Sequence, residues 1–488
     1  MATDASANPN HERRWAILLI LGVAQLMVVL DATIVNIALP SAEADLGFST
    51  NDRQWVITAY ALAFGSLLLL CGRIGDLVGR KRTFIVGLVG FSIVSAVGGA
   101  AQSFGILVAA RALQGAFGAL LAPSALGLLT TTFVDPSERA KAFGIFGAIA
   151  GGGGGIGLLL GGVLTEYLSW RWCLYVNLLF ALPAALAAAL IVRRRPRTGR
   201  AHLDLPGTAT ASAGLFAVVY GFAHAEQDGW GDPVTIALLG AGAALLGGFV
   251  ALQARVAHPL LPLRVIADRR RGGAYLSIGF SATGIFGVFL FLTFFLQENL
   301  GYSPLRTGVA FMALNLAVIA TAMTAQTQIV PRIGARPLVI TGMGLAALAM
   351  LTFTQLETDS TYLKDVMPGL ILTGIGMGCI FAPAIATATV GVDPADVGVA
   401  SAMVNTSQQV GGSIGTALLS TIFASAVTRY AEGRPPGAQT MAEASVQGYT
   451  TAFWWAFGLF VVGGVVCGSV LKPGVPAPGP AARAVTSH

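Results

Sequence analysis

Two side chains in this sequence ask for a chemical explanation before any other. Asp31 stands in the apolar run 15–40, and Arg111 in the apolar run 105–132. Insertion scales put a charged residue at a helix centre at about 2.5–3.5 kcal/mol, so such residues normally face an aqueous cavity or a partner. Counted at roughly 1.5 Å per residue from the outer ends of their runs, Asp31 lies about 14 Å and Arg111 about 9 Å deep. The spacing predicts that the two interact, directly or through water. Burial disfavours an ionised carboxylate and a nearby guanidinium favours it. A carboxylate whose water access and arginine distance change with conformation can therefore load a proton on one side and release it on the other. A cationic or polar substrate could displace that proton. The competing reading is structural: a buried ion pair that only locks helix one to helix four.

The elements that must position such a pair are membrane helices. The 488 residues are 55% hydrophobic and only 11% charged, with a mean hydropathy of +0.74. A soluble chain carries about a quarter charged residues, and each spanning helix needs roughly 20 apolar residues. Long apolar runs fall at 15–40, 51–71, 83–101, 105–132, 140–164, 171–191, 206–224, 234–254, 273–297, 305–330, 336–356, 366–391, 398–427 and 450–471. The class expected is all-α and polytopic with 14 spans; a β-barrel would need short alternating strands. The first run holds Asp31 and lacks a small-x-small cleavage site, so it reads as an uncleaved span. Cys71, Cys173, Cys379 and Cys467 lie in or beside apolar runs without metal-ligand spacing. No disulfide and no metal site are expected. With both termini cytoplasmic, 22 of the 29 Lys and Arg fall in inside segments, as the positive-inside rule requires. The basic runs then need no nucleic acid to explain them.

An internal repeat sets the architecture. Val134 to Glu138 (Val-Asp-Pro-Ser-Glu) recurs as Val392 to Asp396 (Val-Asp-Pro-Ala-Asp), and Gly153 to Gly157 recurs as Gly411 to Gly415, both at an offset of 258. Leu77 to Arg82 echoes Arg332 to Pro337 at an offset of 255. Two six-helix halves with two extra helices between them account for the offset. Parallel repeats of this kind are an architecture of transporters that rock two bundles around a central site. The division expected is a cytoplasmic tail at 1–14, an N-terminal bundle at 15–192, linkers and two extra helices at 193–272, a C-terminal bundle at 273–471 and a cytoplasmic tail at 472–488.

Other polar groups in the spans are candidates for a central substrate cavity: Gln25, Asn36, Tyr60, Gln114, Asn315, Asn405, Gln408 and Gln409. Each alone is more often an interhelical hydrogen bond than a substrate contact; as a set they suggest a wet centre. The loop from Gly72 to Arg82 joins spans two and three on the cytoplasmic side. Gly72 and Gly79 permit a tight turn and close helix approach, while Asp76 can cap a helix N-terminus or pair with Arg80. Such a contact could latch one half against the other. Span five carries Gly151, Gly155, Gly157 and Gly161 among its many glycines, which suit either close packing or a conformational hinge.

These motifs resemble the major facilitator superfamily, and within it the fourteen-helix drug–proton antiporter branch of the EmrB/QacA type. The resemblance spans nearly the whole chain. Leu30 to Pro40 resembles the branch's first-helix motif; Gly72 to Arg82 matches the superfamily loop, with Asp76 and Arg80 at its charged positions. Arg111 to Gly115 resembles the fourth-helix motif, whose arginine is implicated in proton coupling, and Ser169 to Trp172 through Asn177 also resembles the branch. The antiporter motif of helix five usually ends Gly-Pro-x-x-Gly-Gly; here Gly157 to Gly162 lacks the proline. The resemblance implies a proton-coupled exporter of the cytoplasmic membrane, not an enzyme. It would work by alternating access on an apolar or cationic organic compound such as a drug or antibiotic. A monomer is expected, with no cofactor beyond the proton gradient. An importer or facilitator of a small metabolite on the same fold stays open, as does a transport-inactive sensor or scaffold.

Overall fold

The computed structural model describes residues 10–48, 53–193, 204–257, 259–393, 396–432, 434–435 and 437–474. Most of the two tails, the basic stretch 194–200, and Pro394 and Ala395 of the second repeat lie outside the described residues, as do the surroundings of Asn36 and Gly151. The N-terminal half runs α1 (Arg14–Leu46), α2 (Arg53–Val78), α3 (Arg80–Gly99), α4 (Phe104–Thr132), α5 (Pro136–Tyr167) and α6 (Trp172–Ile191). Next come α7 (Leu205–Asp228), α8 (Pro233–Gln253) and the short α9 (Leu263–Ala267). The C-terminal half holds α10 (Arg269–Phe294), α11 (Pro304–Ala310), α12 (Met312–Thr324), α13 (Val330–Ile333), α14 (Ala335–Phe353), α15 (Met367–Thr389), α16 (Val397–Ala431) and α17 (Ala438–Val470). Single π-helical turns follow α10 and α12 and precede α15.

Among the described residues, 13 helical segments are long and apolar enough to span a membrane. A pair within α5, Pro136–Ala150 and Gly153–Tyr167, is bent by 44° and makes 14 when counted as one span. The chain is a multi-pass membrane protein. Three ends differ most from the sequence reading, the first being that of α2, which runs past position 71 to Val78. Helix α1 continues past position 40 to Leu46, where Gly47 takes a left-handed conformation (φ 69°) and donates to the Glu43 carbonyl. Helix α17 begins at Ala438 instead of near 450, because a polar stretch prolongs the helix beyond its apolar run.

The halves share one packing plan. Helix α1 packs on α5 as α10 packs on α16; α2 on α4 as α12 on α15; α3 on α4 as α14 on α15; and α3 on α6 as α14 on α17. The repeated loop glycines behave alike, since Gly79 and Gly334 both adopt positive φ (100° and 81°) and both start the next helix. The halves meet where α5 lies on α12 and α15, and where α2 and α4 lie on α16. Helix α7 packs against α2, α16 and its own partner α8. The outer core of the C-terminal half is an aromatic cluster in which Phe291, Phe423, Tyr449 and Phe453 touch ring to ring.

Candidate functional site

Small residues on α4 let it lie almost against α2. A side chain at Gly115 would run into the Tyr60 carbonyl, and one at Gly118 would press on the Phe64 ring at 3.0 Å. That approach lays the Tyr60 ring on the Arg111 guanidinium, 4.5 Å from its carbon to the ring centroid. Arg111 is then boxed in. Its Nη1 donates to Asp31 Oδ2 at 2.6 Å and to Gln114 Oε1 at 2.9 Å, and its Nε donates to the Val56 carbonyl at 3.1 Å. The other carboxylate oxygen, Asp31 Oδ1, accepts from Asn177 Nδ2 at 2.7 Å and from Gln114 Nε2 at 3.2 Å. Gln114 Nε2 also donates to Ser95 Oγ at 2.7 Å. Asp31 is 0% exposed and Arg111 2%. The two charges meet directly, inside the N-terminal half, in a network drawn from α1, α2, α3, α4 and α6.

Sequence reasoning placed Tyr60 and Gln114 among cavity candidates, and the structure brings both to the charge pair. It missed Ser95 as a member, and singled out Asn177 only as part of a family-like stretch. The available signal was a polar residue at depth in spans three and six. Gln25 is buried, while Asn405 and Gln408 are half-buried on α16. Asn315 is fully buried on α12 against Gly155 of α5, with its Oδ1 lacking a hydrogen-bond partner.

The stretch 72–82, expected as a loop, is helical except at Gly79. Gly72 and Asp76 belong to the last turns of α2, so Gly72 makes no turn and Asp76 caps no helix start, yet the stretch does reach the opposite half. A Cβ at Gly72 would lie 2.8 Å from the Gly398 carbonyl, and one at Gly398 would lie 2.6 Å from both Asp76 carboxylate oxygens. Asp76 therefore sits against the first turn of α16, and its Oδ1 accepts from Arg80 Nη2 at 2.8 Å. On α5, Gly157 and Gly161 press on Thr33 and Ile34 of α1, while Gly147 meets Ala382 of α15 at 2.6 Å. The glycines are thus packing surfaces on two faces of a helix that is also bent. All four cysteines are buried free thiols, and among the described residues no group of three His, Cys, Asp or Glu side chains could hold a metal ion.

The profile of the Major Facilitator Superfamily matches residues 21–416. The chain belongs to that superfamily. This major facilitator is 49% identical to the puromycin resistance protein pur8 of Streptomyces alboniger, over 95% of this chain and 92% of that protein. It is 39% identical to the cephamycin export protein CmcT of Amycolatopsis lactamdurans, over 82% and 83%. It is 35% identical to the tetracenomycin C resistance and export protein of Streptomyces glaucescens, over 85% and 77%. Among solved structures, the human organic anion transporter MFSD10 aligns with a TM-score of 0.66 over 93% of this chain and 99% of that one; at 17% identity this is a likeness of fold.

Proposed function

We propose that this major facilitator exports an antibiotic or similar organic compound from the cell in exchange for protons, by alternating access, with both termini cytoplasmic and Asp31 as the proton carrier. The observation that carries the reading is the buried Asp31–Arg111 pair: a full charge pair at membrane depth, wrapped by three further polar side chains. Relatives named for antibiotic resistance and export support the direction of transport and make puromycin the first compound to test. A group that trades a proton must meet water at some point in its cycle, and here Asp31 is sealed. Because all its partners lie in one half, rocking of the halves alone does not uncover it; α1 or α2 must also shift on α4. The same sealing fits a second, structural reading, in which the pair merely locks α1 to α4.

One experiment separates them. Purified protein in liposomes with an imposed pH gradient is offered puromycin and a panel of cationic, neutral and anionic compounds. The expected outcome is uphill accumulation with proton release, and its loss in Asp31→Asn despite normal insertion. Uphill transport retained by Asp31→Asn would leave the pair as a lock.

A further inference from the structure

Asp31 as an ion is satisfied, since every side chain that touches its oxygens offers an N–H. Arg111 holds Oδ2; Gln114 and Asn177 hold Oδ1. A neutral acid is a different matter, because its O–H needs an acceptor and buried donors and acceptors must be paired. A proton delivered by hydronium adds to Oδ1, the oxygen turned away from the guanidinium: the acid O–H forms as the hydronium O–H breaks, and neutral water leaves. One of the two amides there must then present oxygen instead of nitrogen. Gln114 cannot turn freely: its Oε1 accepts from Arg111 and its Nε2 also donates to Ser95. Turning it would break both bonds and aim an NH2 at a guanidinium. Asn177 is tied by Nδ2 alone, and its Oδ1 is buried with no hydrogen-bond partner.

We infer that Asn177 is a positioning residue that follows the protonation of Asp31, its Nδ2 holding the carboxylate and its Oδ1, after a half-turn of the carboxamide, accepting the O–H of the acid. The inference rests on the antiport reading above. The charged and titratable groups that act on Asp31 are Arg111 from α4, Tyr60 from α2 and Cys173 from α6; α3 contributes Ser95, and the charged residues of α5 stand at its two ends. Arg111 carries no acceptor, and among the described hydrogen bonds none joins the Tyr60 hydroxyl, the Cys173 thiol or the Ser95 hydroxyl to Asp31.

The test is pH-difference infrared spectroscopy on the full-length protein in liposomes. Wild type is expected to show a carboxylic acid band that Asp31→Asn removes, together with a change in a side-chain amide band. In Asn177→Leu the acid band moves to higher wavenumber, because the O–H has lost its acceptor; in Asn177→Thr, whose hydroxyl both donates and accepts, it returns. A residue that only packs, or only donates to the ion, would leave the acid band where it was. Should Asn177→Leu fail to fold, isotope-labelled asparagine in wild type supplies the same readout, with the band of position 177 identified by its loss in Asn177→Thr. An acid band unmoved by Asn177→Leu, or a labelled amide band indifferent to pH, overturns the role of Asn177 alone. Absence of any band lost in Asp31→Asn overturns the antiport reading as well.

Discussion

In the N-terminal half Gly115 of α4 meets the carbonyl of Tyr60 on α2; in the C-terminal half Gly374 of α15 meets the carbonyl of Leu314 on α12. Thr33 of α1 against Gly157, and Thr283 of α10 against Gly415, form a second matched pair. Carrying this register along the helices sets Asp31, Tyr60, Arg111 and Gln114 opposite Ser281, Leu314, Leu370 and Thr373. The fillings are opposite in chemistry. Ser281 Oγ donates to the Ser277 carbonyl at 2.7 Å and Thr373 Oγ1 to the Gly369 carbonyl at 2.8 Å, so both hydroxyls are satisfied within their own helices. Leu314 and Leu370 are fully buried. The same helix crossings therefore close without charge, and packing alone does not call for an ion pair in the other half.

Copying one half into the other sharpens that contrast most. Arg111→Leu strands a buried carboxylate and is expected to cost about 3–5 kcal/mol, read as thermal stability in detergent. Adding Asp31→Ser copies the C-terminal residues at both charged positions and is expected to recover most of the loss, because removing a buried pair together is far less costly than leaving one charge alone. The double variant should still fail to accumulate substrate on a pH gradient. If it transports uphill, the difference between the halves has no bearing on coupling. In the apolar half, Leu370→Ala is expected to cost about 2–5 kcal/mol through the cavity it leaves, while the pH dependence of transport stays in place. A shifted pH profile in Leu370→Ala would mean that the coupling site is not confined to one half.

How much of this was legible follows from the physics of each signal. Asp31 and Arg111 stand out because a charge in a long apolar run is costly wherever it faces, and helix rise alone sets their depths. The two halves were legible because the Val-Asp-Pro and glycine echoes share one offset. Membership of Asn177 and Ser95 was not: an uncharged polar residue in a span can satisfy itself on its own helix, as Ser281 does, or reach across, and rotation about the helix axis decides which. Rotation is fixed by neighbours such as Gly115, distant in sequence. The same ignorance put Tyr60 and Gln114 among cavity candidates when they belong to the pair. The glycines of α5 could not be divided between packing and bending, since the structure uses that helix for both.

A smaller effect is expected where the two seams between the halves differ. At the α2–α16 seam, Gly398 lies on the Gly72 carbonyl and under Asp76; one repeat earlier the matching residue of α5 is Ala140, which already carries a methyl group. Gly398→Ala places a carbon 2.6 Å from the Asp76 oxygens, an overpacking that costs about 1–3 kcal/mol in the closed arrangement. Cys71, buried beside Gly72, is the reporter. With the other three cysteines replaced, its maleimide labelling is expected to speed up in Gly398→Ala and to stay slow in the parent. Equal rates would mean that this glycine contact does not hold the seam shut.

The smallest effect concerns the loops that open α5 and α16, where the matched acids Glu138 and Asp396 each pair with an arginine, Arg14 and Arg264, and Asp135 adds a helix cap. Asp135 caps α5, accepting from the Ser137 and Glu138 amides at 2.9 and 3.0 Å and from the Ser137 hydroxyl at 2.7 Å. The Glu138 amide first, and then the Ser137 hydroxyl, hold its carboxyl below the ordinary range. Asp396, before α16, makes no such cap and instead accepts from Arg264 Nη2 at 2.6 Å. Losing an N-cap typically costs about 1 kcal/mol, so Asp135→Ala should melt lower at neutral pH by that amount. Because the folded carboxyl titrates below the unfolded one, the cap's contribution is present above the unfolded value and disappears as pH falls through the folded one. Melting curves of Asp135→Ala and wild type should therefore converge in acid. Asp396→Ala lacks a cap to lose, and while Asp396 is buried its Arg264 partner is largely exposed, so its melting difference should shrink with added salt, which leaves the cap of Asp135 nearly untouched.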